Sequence, residues 1–74
     1  MQSENQELYR KLGLNISYYR RDCGMSQIQL AEKIDISRTH MSRIENGDCA
    51  VSLDVIFSLS RVLNIPVSHL FEFR

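Results

Sequence analysis

Apolar side chains recur at helical spacing along most of this chain. Leu8, Leu12, Ile16, Tyr19 and Cys23 fall at i, i+4, i+8, i+11 and i+15, which predicts one apolar face over four turns and a first helix from about Glu7 to Asp22. Gly13 inside that helix costs about 1 kcal/mol relative to alanine, and a close approach to another helix is its expected reason. Gly24 is expected to end the helix as a left-handed C-cap. A second helix is predicted from Gln27 to Ile34, with Leu30, Ala31 and Ile34 on one face and Ile28 near its edge. Its start carries the capping box Ser26-x-x-Gln29. A tight turn follows around Asp35 and Ile36, where aspartate tolerates left-handed backbone angles better than most residues. Ser37 caps a third helix, Arg38 to Asn46, with Met41 and Ile44 facing inward and Gly47 ending it.

After a loop from Asp48 to Val51, Ser52 caps a fourth helix, Leu53 to Leu63, that is apolar on more than one side. Leu53, Ile56, Ser60 and Leu63 make the line expected to face the core, and Val55, Leu59 and Val62 make a second, with Phe57 on a third side. Pro66 opens a short last helix, Val67 to about Glu72, which brings Val67, Leu70, Phe71 and Phe73. The second stripe must be covered either by this last helix, leaving a monomer, or by a second subunit. Val55, Leu59, Val62, Phe71 and Phe73 are therefore the candidate dimer interface. Residues 1–6 are polar and lack a core pattern, so a disordered N-terminus is expected ahead of a single domain spanning 7–74. Five helices and no strands make an all-α bundle.

The middle of this pattern has a further reading. A buried helix, a short turn and a second helix with an unusually polar outer face is the arrangement of a helix-turn-helix, whose second helix enters the major groove of DNA. Arg38 and Thr39, at the N-terminal end of the third helix, are the best candidates for reading bases. A guanidinium matches guanine O6 and N7, and a threonine methyl meets the thymine methyl; Arg38 on a phosphate or in solvent is the alternative. Arg43, about one and a half turns on, is placed for a base edge or the backbone. His40 is a phosphate contact or a spectator. Gln27, in the first turn of the second helix, is placed to hold a phosphate near the dipole's positive end. Ser42 and Asn46 complete the DNA backbone set, with Asn46 also readable as a helix C-cap.

Charge sharpens this picture although the 74 residues sum to a net charge of zero. Between Arg10 and Arg43 seven basic residues face three acidic ones, and the remainder is acidic by the same margin. The basic half surrounds the helix-turn-helix. Cys23 and Cys49 do not make a secreted-type framework, and free thiols in a reducing cytoplasm are expected over a disulfide or redox switch. No signal peptide or membrane run is visible, so a cytoplasmic protein is expected. Neither His40 nor His69 has a cysteine or carboxylate at metal-ligand spacing, and no phosphate loop or nucleophile motif occurs. No enzyme, metal or cofactor is expected.

Leu12-Gly13-x-x-Ile16, then Arg20-x-x-x-Gly24-Met25-Ser26-Gln27-x-x-Leu30-Ala31-Glu32-Lys33, then Ile36-Ser37-x-x-x-Met41-Ser42-x-Ile44-Glu45-x-Gly47 resemble the XRE (Cro and lambda-repressor-like) helix-turn-helix family. Ser52-Leu53 and Leu63-Asn64-Ile65-Pro66-x-x-x-Leu70-Phe71 continue the resemblance, which covers about residues 8–71. Arg38-Thr39 followed by Ser42-x-Ile44-Glu45 looks like the recognition helix of small stand-alone repressors and restriction-modification controller proteins. The resemblance implies a compact five-helix DNA-binding domain, a transcriptional regulator acting as a homodimer on a palindromic operator in double-stranded DNA. It also implies a structural ion pair between Arg20 and Glu45, tying the first helix to the end of the third. Asp35 stands where the family usually has a turn glycine, and Ala50-Val51 where a proline is common. With no second domain in view, no small-molecule effector is expected. The competing reading is a protein-interaction module on the same fold, an antitoxin or adaptor whose third helix does not read DNA.

Overall fold

Five helices follow one another in a computed structural model that describes residues 4–73. They are α1 (Gln6–Asp22), α2 (Gln27–Lys33), α3 (Arg38–Glu45), α4 (Leu53–Leu63) and α5 (Val67–Leu70), with no strand among the described residues. Residues 1–3 of the stretch expected to be disordered lie outside the described residues, and α1 begins at Gln6. Its first turn carries an exposed pair in which Arg10 Nη2 donates to Glu7 Oε1 at 2.6 Å. That hydrogen bond holds the Glu7 carboxyl below its ordinary range.

Serines start three of the helices as their spacing predicts. Ser26 Oγ accepts from the Gln29 amide at 3.1 Å while Gln29 Oε1 accepts from the Ser26 amide at 2.8 Å, closing the capping box. Ser37 and Ser52 accept from the amides of His40 and Val55. The ends of the first four helices share one device. After α1, Met25 N–H donates to Arg20 C=O and Gly24 N–H to Arg21 C=O, the paired bonds of a Schellman motif. The same pair recurs after α2 at Asp35 and Ile36, after α3 at Gly47 and Asp48, and after α4 at Asn64 and Ile65. Each requires one left-handed residue, and Gly24, Asp35, Gly47 and Asn64 have φ of 72°, 60°, 73° and 56°. Asp35 thus makes the turn with the glycine-like angle inferred for it.

The core joins Leu12 and Ile16 of α1, Leu30 and Ala31 of α2, Met41 and Ile44 of α3, Ile56, Leu59 and Leu63 of α4, and Leu70 of α5. Four expectations need correction. Leu8 and Cys23, the ends of the α1 stripe, are exposed, although Cys23 Sγ still reaches the Leu63 carbonyl at 3.8 Å. On α4 the buried face straddles the two predicted lines. Ile56, Leu59 and Leu63 (i, i+3, i+7) face the core, Val55 and Val62 flank it half-buried, and Leu53 and Phe57 lie outside, 66% and 55% exposed. Leu59 is fully buried within its own protomer and is therefore not a dimer contact. The last helix also stops at Leu70 rather than near Glu72. Asn15, buried between Leu12 and Ile16, donates from Nδ2 to the carbonyls of Leu70 and Glu72 at 3.0 and 3.2 Å. Those carbonyls are satisfied by a side chain of α1, so the chain leaves the helix without leaving buried acceptors unpaired.

Candidate nucleic-acid interface

Alternation of long apolar and polar residues makes α3 two-sided. Met41, Ile44 and Glu45 are buried, whereas Arg38, Thr39, His40, Arg43 and Asn46 are exposed and Ser42 is half-buried. Thr39 and Arg43, one turn apart, share the outward face, and so do Ser42 and Asn46. Arg38 and His40 stand at its two edges. The spacing therefore separates the seven residues assigned to DNA into an outer group of four on α3, two at its margins, and Gln27 on α2. Asn46 caps α3, its amide donating to the Ser42 carbonyl at 3.0 Å.

What holds α3 in place is its contact with α1. A Cβ added to Gly13 would fall 2.5 Å from the Ile44 carbonyl oxygen and closer still to that of Glu45. The missing side chain is what lets the two helices meet backbone to backbone. About two turns along α1, Arg20 and Glu45 form a buried, two-pronged ion pair, with Nε to Oε2 at 2.7 Å and Nη2 to Oε1 at 3.0 Å. Arg20 Nη1 donates further to the Met25 carbonyl at 2.8 Å, in the loop that leads into α2. Gln27 Nε2 completes the cluster by donating to Glu45 Oε1 at 3.1 Å. Burial leaves Glu45 with three donors and no exposed charge to repel a phosphate, and among the described residues no buried side-chain nitrogen or oxygen lacks a partner.

Sequence reasoning missed two parts of this arrangement. The bond from Gln27 to Glu45 joins residues 18 apart on different helices, and no local spacing announces it. It occupies one of the two N–H groups of the Gln27 side-chain amide and leaves one donor for another acceptor. The role of Asn15 had a signal, an amide set among the buried apolar residues of α1, which burial obliges to find acceptors.

Comparison with known proteins places this geometry. A helix-turn-helix family model matches residues 16–70. An uncharacterized HTH-type transcriptional regulator of Sinorhizobium medicae is 34% identical over 61 residues, 82% of this chain and 44% of that relative. The chain thus spans less than half the length of this relative. The control protein C.BamHI of Bacillus amyloliquefaciens is 43% identical over 49 residues, 66% of this chain and 60% of that protein. Among solved structures, the restriction-modification controller protein C.AhdI from Aeromonas hydrophila superposes with a TM-score of 0.84 at 31% identity, over 88% of this chain and 98% of its own. Bacillus thuringiensis PlcR, solved in complex with the peptide PapR7 and DNA, superposes with a TM-score of 0.77 at 36% identity, over 86% of this chain and 22% of its own. Its relatives are regulators rather than enzymes. With the matching span covering both helices of the motif and the buried faces that support them, the chain belongs to the XRE-type helix-turn-helix family of transcriptional regulators.

Proposed function

We propose that this protein is a sequence-specific regulator that binds double-stranded DNA as a homodimer, placing α3 of each subunit in the major groove of a palindromic operator. The observation that carries the reading is the outward face of α3, polar and bearing Arg43 beside Thr39, on a helix whose only carboxylate is buried and paired. Arg38, Thr39 and Arg43 read bases. Gln27, His40, Ser42 and Asn46 hold the sugar-phosphate backbone, Gln27 from the first turn of α2. The likeness to controller proteins supports a role in transcriptional control, with repression as the expected sense.

The dimer is supported by hydrocarbon left outside the fold. Leu53 and Phe57 on α4, with Phe71 and Phe73 beyond α5, are exposed, and Val55 and Val62 are half-buried at the margin of the same helix. Two recognition helices one DNA turn apart, about 34 Å, would then read the two half-sites. Selection of bound duplexes from random sequence tests both statements, since a motif reports specificity and its symmetry reports the dimer. Arg43→Ala is expected to lose about 1–3 kcal/mol, unevenly across operator positions. Absence of any sequence-dependent binding at low salt would leave the fold as a protein-interaction module instead.

A further inference from the structure

The chain beyond α5 takes its course from a side chain of α1. Asn15 is 7% exposed, and its Nδ2 carries two N–H groups, enough to serve both the Leu70 and the Glu72 carbonyl. The other hydrogen bonds of this segment are local, from the Phe71 and Glu72 amides to the Ser68 and His69 carbonyls. A helix of four residues does not hold such a segment in place by itself. Carbonyls 70 and 72 are thus tied to α1, and the residue after each of them is a phenylalanine. Phe71 and Phe73 border an open hollow of about 330 Å³ together with Leu8, Tyr9 and Leu12 of α1. Their backbone is held, yet the two rings stay 45% and 37% exposed. Burying an amide is costly unless its donors are used, and a leucine between Leu12 and Ile16 would fill the core without that cost. What Asn15 adds is a fixed place for the two rings.

The same helix holds α3, through the close approach at Gly13 and the ion pair at Arg20. We propose that Asn15 is a positioning residue for the homodimer, fixing Phe71 and Phe73 against α1 before a second copy arrives. Through α1 it then sets how far apart the two recognition helices stand. The inference rests on the dimer and the operator reading proposed above, and names the residue that prepares one part of that interface. Rings already in place reduce the ordering entropy lost on association. Without the two bonds the rings remain in the chain but no longer in one position. The dimer then weakens and the register between half-sites loosens, while each α3 keeps its own base preference.

The test is sedimentation velocity over a dilution series of the full chain, with N15L and N15D beside the wild type. N15L keeps the core apolar and N15D keeps the shape of the side chain, and both remove the two donors. Each is expected to stay helical by circular dichroism and to raise the dimer dissociation constant at least about tenfold. In a chain carrying F71S and F73S, where no ring is left to place, N15L should weaken the dimer no further. Selection from random duplexes with N15L should return the wild-type half-site at a less uniform spacing. The wild-type chain supplies a check that decides the matter even if neither variant folds. On dilution from dimer to monomer, nuclear magnetic resonance signals of Phe71 and Phe73 should move while those of the Asn15 side-chain amide stay in place. An unchanged dissociation constant in a folded variant, an equal weakening with and without the two rings, or Asn15 signals that move on dilution overturns the proposal and leaves the dimer standing. A wild-type chain that stays monomeric at every concentration overturns the dimer reading, and the proposal with it.

Discussion

Where α1 meets α3 the molecule buries charge, whereas on the outer side of α4 it exposes hydrocarbon. Arg20 and Glu45 lie inside, joined by two hydrogen bonds to each other and served by Met25 and Gln27. Leu53 and Phe57 lie outside, on the same helix as the fully buried Leu59. Neither arrangement favours the isolated chain. Desolvating two ions takes back most of what their attraction gives, and an uncovered apolar pair forgoes the gain of burial. The contrast teaches that the two regions are built against different references. The first fixes an angle inside the chain, and the second leaves hydrocarbon in solvent, where the proposed dimer would cover it.

Breaking the buried side should have the largest effect. Glu45→Ala leaves a guanidinium buried without its counter-charge and should cost about 3–5 kcal/mol in urea or thermal unfolding. A single core of this size gives about that much in total, so the variant should be largely unfolded. Replacing both partners with methionine should restore most of the stability, since no buried charge remains, but should blur operator preference if the pair sets the angle of α3. On α4 the comparison is made within one helix. Leu59→Ala should cost about 2–5 kcal/mol, while L53S or F57S should change the stability of dilute protein by no more than about 0.5 kcal/mol. Sedimentation velocity at micromolar protein should instead show F57S shifted toward monomer; an unshifted distribution would remove α4 from the interface. Gly13→Ala should cost about 1–3 kcal/mol by forcing α1 off α3, despite alanine's better helix propensity. Asp35→Gly is expected to stabilise by less than about 1 kcal/mol because glycine adopts the left-handed angle without a Cβ penalty.

Much of this was legible in the chain before any coordinates. Serine caps, left-handed turns and glycine stops are decided within a few residues, and the helix bounds they imply agree with the structure to within a residue through α4. The reading of Gly24 rests on the same local logic, whereas Gly13 announced a close approach without saying to what. What escaped was non-local. Two apolar lines on α4 share one periodicity, and only the position of the other helices decides that the core takes Ile56, Leu59 and Leu63 from both while releasing Leu53. The end of α5 is set by an amide 55 residues earlier in the chain. At the candidate interface, exposure of Arg38, Thr39 and Arg43 follows from α3's own pattern, but the engagement of Gln27 by Glu45 requires three elements to be in place.

Arg20 touches the loop after its own helix twice, accepting from the Met25 amide through its carbonyl and donating to the Met25 carbonyl through its guanidinium. The same planar group grips the last turn of α3. The entrance to α2 and the exit of α3 are therefore measured from one datum, and errors in their relative placement do not accumulate along the intervening chain. A lysine there would keep the charge but offer a point instead of a plane. Arg20→Lys should then widen the tolerance with which α3 meets a base pair, and its signature would be a less selective operator rather than an absent one.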